Sequence, residues 1–103
     1  MNERTARCLL LSKVLIADGI VTENERIFLD RAMARLELTP EERRQVIELE
    51  GWNDAEATLA SLGTEQKRAL VSDLVDAASA DGRLSPLEAE MVQRIARSLG
   101  LED

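Results

Sequence analysis

Ala17-Asp18-Gly19-Ile20-Val21-Thr22-Glu23-Asn24-Glu25 is answered 63 residues later by Ala80-Asp81-Gly82-Arg83-Leu84-Ser85-Pro86-Leu87-Glu88. Each copy reads as a helix end, an Asp-Gly turn, an apolar residue, a hydroxyl N-cap and a new helix. Thr22 with Glu25, and Ser85 with Glu88, have the spacing of a capping box, in which cap hydroxyl and glutamate each satisfy a backbone N–H. Pro86 suits the first helical position. The correspondence continues outward: Leu11 matches Leu74, Phe28 matches Met91, Leu29 matches Val92, Ala32 matches Ile95, Leu36 matches Leu99 and Leu38 matches Leu101. The internal repeat therefore spans about residues 9–38 and 72–101. It predicts two pseudo-symmetric helical hairpins.

The rest of the chain has the same helical period. Leu10, Leu11, Val14 and Leu15 form one stripe, and Phe28, Leu29, Ala32, Met33 and Leu36 a second. Leu70, Val71, Leu74, Val75 and Ala78 form a third, and Met91, Val92, Ile95, Ala96 and Leu99 a fourth. This is the spacing of amphipathic helices. No segment alternates with period two, so the fold class is all-α. Thr39-Pro40-Glu41-Glu42 adds another start, Asn53 with Glu56 a weaker one, and Thr64 can cap a helix opening at Glu65. Gly19, Gly51, Gly63, Gly82 and Gly100 supply stops that require a left-handed residue. About six helices are expected, over 3–17, 23–37, 40–50, 54–61, 65–80 and 86–99. The two short ones between 40 and 61 bridge the hairpins. The loops are short, and the chain reads as one domain over 1–103.

Composition narrows the chemistry. The chain has 103 residues, 45% apolar and 32% charged, which is globular rather than disordered. Thirteen Lys and Arg against twenty Asp and Glu give a net charge of −7, so the chain as a whole is repelled by nucleic acid and anionic lipid. There is no His and no Tyr, and Cys8 is the one cysteine. Histidine acid–base chemistry, Cys/His pairs, ordinary zinc sites and an intrachain disulfide are excluded. Cys8, among Leu9, Leu10 and Leu11, reads as a small buried hydrophobe. The uninterrupted apolar runs near the start are four residues long, which suits neither a signal peptide nor a membrane span. The expectation is a cytoplasmic protein without direct membrane insertion.

Asp18 and Asp81 are the unusual members of the repeat. A carboxylate in the last turn of a helix faces the negative end of its dipole, at a cost of roughly 0.3–1 kcal/mol. One explanation is structural: turn amides or the next helix's N–H groups hold it. The other is a cation site, with Asp18 and Glu25, or Asp81 and Glu88, as oxygen ligands. A calcium loop of the EF-hand type does not fit. Aligning Gly19 and Glu25 with such a loop puts Val14 and Ile16 at its first and third positions, and Ala77 and Ser79 in the second copy. Three of these four bring no side-chain oxygen to a shell of six to eight. A water-rich site for a hard divalent ion, joining acids of both hairpins, stays open.

Paired helices around Ala-Asp-Gly-x-apolar-Ser/Thr-x-x-Glu, found at Ala17 to Glu25 and again at Ala80 to Glu88, resemble the tellurite-resistance TerB domain. They are also similar to the TerB-like N-terminal domain of DjlA-type DnaJ co-chaperones. The resemblance runs from Leu9 to Leu101. It implies an all-α, non-enzymatic interaction module in bacterial stress-response, tellurite-resistance-type and membrane-associated assemblies, with a protein partner. Metal-linked roles are implied too, and Asp18, Glu25, Asp81 and Glu88 are the positions matching the motif. No J-domain is expected here, so the resemblance is not taken to imply co-chaperone activity.

Other constellations bear on partners. Arg26, Arg31, Arg35, Arg43 and Arg44 gather on the second and third helices, and Arg31 and Arg35 share a face. They read either as a patch for an acidic partner or as a solvated face paired with Glu23, Asp30, Glu41 and Glu42. Asp73 and Asp76, near Asp81, form an acidic strip for a cation or a basic partner, with a solvated face as the alternative. Nucleic-acid binding wants aromatics beside the basic residues, whereas Phe28 sits on an apolar stripe and Trp52 is remote. Trp52 is either a plug between the hairpins or an exposed anchor. An enzyme is the poorest reading: helical hairpins of this size leave little room for a substrate pocket, and no phosphate loop or nucleophile motif occurs.

Overall fold

The computed structural model describes residues 1–17, 19, 22–79 and 84–101. They form six helices and no strand: α1 (Glu3–Leu15), α2 (Glu23–Arg35), α3 (Pro40–Ile47), α4 (Trp52–Ala60), α5 (Thr64–Ala78) and α6 (Pro86–Ser98). The all-α bundle expected from the apolar stripes is present.

The first helix organises the rest. It touches each of the other five, and Ala6, Leu9, Leu10, Val14 and Leu15 are all at most 1% exposed. A helix apolar around so much of its circumference belongs at the centre of a bundle. The main core adds Ala55 and Leu59 from α4, Leu70, Leu74, Ala77 and Ala78 from α5, and Val92 and Ile95 from α6. A smaller cluster joins Cys8, Met33, Leu38 and Val46, and fixes α3 to α1 and α2. Burial of the Cys8 thiol pushes its pKa up to about 11. Trp52 is half-buried at the edge of the main core, with the Lys13 ammonium 3.6 Å from its ring centroid. It is therefore neither a full plug nor a bare anchor.

Helix starts follow local chemistry closely, and three capping boxes form as expected, at Thr22/Glu25, Thr39/Glu42 and Ser85/Glu88. Other ends depart from expectation. Asn2 caps α1, its side chain accepting from the Thr5 N–H. Thr64 lies inside α5, and Gly63 is the cap, its N–H donating to Gln66 Oε1 at 3.1 Å. Gly63 is thus extended, with φ −68°, rather than left-handed. Asn53 lies within α4, whose cap is Gly51 at φ +86°. The left-handed backbone favours glycine there, and a Cβ would also displace the flexible end of Met1, whose Cε would lie 2.8 Å away. The turns after α2 and α3 use Glu37 and Leu49 in the left-handed region, where no glycine is present. Gly19 has the expected positive φ, +79°, whereas Gly82 lies outside the described residues.

Candidate functional site

The two repeat glutamates meet. Glu25, in the first turn of α2, and Glu88, in the first turn of α6, are 6% and 3% exposed. Each is held by its own box. Thr22 N–H donates to Glu25 Oε1 at 3.0 Å, and Glu25 N–H to Thr22 Oγ1 at 3.1 Å. Ser85 N–H donates to Glu88 Oε1 at 3.0 Å, and Glu88 N–H to Ser85 Oγ at 3.1 Å. The caps also share a backbone conformation, φ −71° and ψ 162° at Thr22, φ −71° and ψ 156° at Ser85.

Cap chemistry occupies one oxygen of each carboxylate. Glu88 lies close enough to Glu25 to act on its carboxylate both as a hydrogen-bonding neighbour and as a charge. Two ionised carboxylates have no proton to share, and Glu88 Oε2 is buried without a hydrogen-bond partner among the described residues. Burial foremost raises the Glu25 pKa above its usual value, and the hydrogen bond and negative charge of Glu88 raise it further, against the lowering effect of the Thr22 amide. An arrangement of this kind is relieved by one shared proton or by a cation. The oxygen donors suit a hard divalent ion, which takes carboxylates and water readily.

Of the four predicted ligands, Glu25 and Glu88 are thus brought together, while Asp18 and Asp81 lie outside the described residues. No cluster of three or more metal-ligating side chains occurs among the described residues.

The predicted partner residues fall on a second feature. A groove of about 370 Å³ lies between α1, α2 and α5. Its lining includes Arg35 from α2 and Asp73 and Asp76 from α5, over a floor with Cys8, Leu11 and Leu74. Arg31 is exposed and outside that lining. The expectation that helical hairpins leave little room is corrected here: α2 and α5 flank α1 yet meet each other only briefly. Among the basic residues of α2 and α3, Arg44 alone is engaged in ion pairs among the described residues, with Glu41, Glu48 and Glu50. The predicted pairing of the whole basic group with Glu23, Asp30, Glu41 and Glu42 is therefore not what forms.

The described residues thus form an all-α bundle of six helices with two matching Ser/Thr–Glu capping boxes, each ending in a buried glutamate. The sequence model described as "Tellurite resistance protein TerB" matches residues 4–103, and the chain belongs to the TerB family. No curated protein and no solved structure matches it. No described helix is long and apolar enough to cross a membrane.

Proposed function

We propose that this TerB-family chain is a non-enzymatic module of a tellurite-resistance-type system that binds a divalent cation between Glu25 and Glu88. The observation that carries this reading is Glu88 Oε2, buried without a donor beside a second buried carboxylate. Glu25 and Glu88 would each hold the ion through the oxygen its capping box leaves over, and water would complete the shell. The ion would supply positive charge at the junction of the two hairpins. Calorimetry with Ca²⁺, Mg²⁺, Mn²⁺ and Zn²⁺ tests it. Binding heat that is lost in Glu88→Gln supports the reading. No heat with any ion, or heat unchanged in that variant, refutes it.

A second reading rests on a different observation, the groove between α1, α2 and α5 with oppositely charged, unpaired walls. On this reading the chain is a protein-interaction module whose partner, membrane-associated or not, docks there. Unpaired charge beside a concave apolar floor favours recognition over a merely solvated face.

A further inference from the structure

We propose that the groove between α1, α2 and α5 receives one amphipathic helix of a partner protein, acidic along one flank and basic along the other. The inference deepens the interaction reading and rests on it. It is independent of the cation reading.

The floor is apolar, with Leu11 and Cys8 from α1, Ala32 from α2, and Leu70, Leu74 and Ala77 from α5. The volume of about 370 Å³ has room for the apolar anchor side chains of a helix lying across it. α2 and α5 both pack on α1 and touch each other at few points, which leaves an open groove over α1. Such a groove takes a helix by its i, i+3/i+4 and i+7 apolar side chains.

The walls set the charge of the occupant. Arg35, on α2, is exposed and makes no ion pair among the described residues. Asp73 and Asp76, on α5, are exposed and likewise unpaired among them. Arg7 also lines the groove but is engaged by Glu3 at 3.0 Å. The opposite charges of the two walls have not closed on each other, so each is available to an incoming group. An occupant that satisfies both places a carboxylate toward α2 and a Lys or Arg toward α5. Reversing the chain direction of a helix exchanges its flanks. The code is therefore one acidic and one basic flank, in either direction.

The test is selection from a displayed library of helical peptides with fixed leucines at i, i+4 and i+7 and randomised flanks. Against the wild-type chain, the expected binders carry one acidic and one basic flank. Against Arg35→Glu, both walls are acidic and binders with two basic flanks are expected. Against Asp73→Lys with Asp76→Lys, two acidic flanks are expected. All three positions are exposed, so the variants keep the core. A wild-type binder should bind each variant at least tenfold more weakly, and amide shifts on binding should centre on Leu11, Ala32 and Leu74. Binders seated in the groove but indifferent to these substitutions overturn the charged-flank proposal and leave the interaction reading standing, whereas shifts centred elsewhere overturn both. No binders at all overturn both. Concentration-dependent self-association that perturbs the same amides assigns the groove to a second copy of the chain and overturns the proposal.

Discussion

Glu25 and Glu88 stand 63 positions apart in sequence and are neighbouring buried carboxylates, each tied through one oxygen to the backbone N–H of its own helix cap. Two local motifs, each stabilising on its own, produce a frustrated contact where the first turns of α2 and α6 come together. That conflict lies at the centre of the functional reading, since a capping box alone needs no burial.

Replacing Glu88 by Gln keeps an oxygen for the Ser85 amide and gives the side chain a donor for Glu25. In chelator at neutral pH, the variant should be more stable than the wild type by on the order of 1 kcal/mol. Glu88→Ala should be less stable than wild type, because the Ser85 N–H loses its acceptor. Denaturant unfolding checks both, and a Gln variant less stable than wild type contradicts the buried conflict.

The raised Glu25 pKa gives a pH dependence with a definite sign. Above the ordinary carboxylate value of 4.5, the native state binds more protons at this group than the unfolded state. Its contribution to stability is therefore complete below 4.5 and is lost as pH rises through the raised value. Exposed Glu41 and Glu50 and half-buried Glu42 are held below their usual range, foremost by hydrogen bonds from Arg44 for Glu41 and Glu50 and from the Thr39 backbone for Glu42, and act in the opposite sense at lower pH. The difference between wild type and Glu25→Gln isolates the glutamate. In chelator, melting temperatures should show wild type losing ground to the variant as pH rises from 4.5 toward neutral. A constant difference contradicts the assignment.

Ser85 Oγ accepts from the Glu88 N–H at 3.1 Å. Ser85→Ala removes this bond and should cost roughly 0.5–2 kcal/mol. An unchanged melting temperature would show that the hydroxyl does not support α6.

Cys8 lines the groove floor but is only 2% exposed, and burial pushes its thiol up to about 11. An aromatic disulfide reagent at neutral pH should react with it only at the rate of unfolding. Rapid labelling of the native chain would contradict the packing of α1 against α2 and α3.

The helices were legible in the sequence wherever a signal was local. The stripe at Leu10, Leu11, Val14 and Leu15 is buried as its spacing requires, and the Thr22, Thr39 and Ser85 starts follow from residues three apart. Signals failed where tertiary packing decides. Glu37 and Leu49 take left-handed turns without glycine, and Gly63 serves a start rather than a stop. Phe28, Leu29 and Ala32 lie on an apolar stripe yet stay half-buried, and Phe28 and Ala32 line the open groove. The meeting of Glu25 with Glu88 had a trace in the repeat, because matching positions of two related hairpins tend to approach each other. The capping box had already accounted for both residues, so their burial left no separate mark. Arg35, Asp73 and Asp76 were visible as charge, whereas the groove between them was not, since a vacancy has no residue of its own.

Paramagnetic broadening by Mn²⁺ in the amide NMR spectrum of the isotope-labelled chain locates a cation bound between Glu25 and Glu88. At substoichiometric Mn²⁺, signals from Thr22 to Glu25 and from Ser85 to Glu88 should broaden together, and Glu88→Gln should abolish the effect. Broadening centred on Asp73 and Asp76, or spread evenly over the acidic surface, would contradict that site.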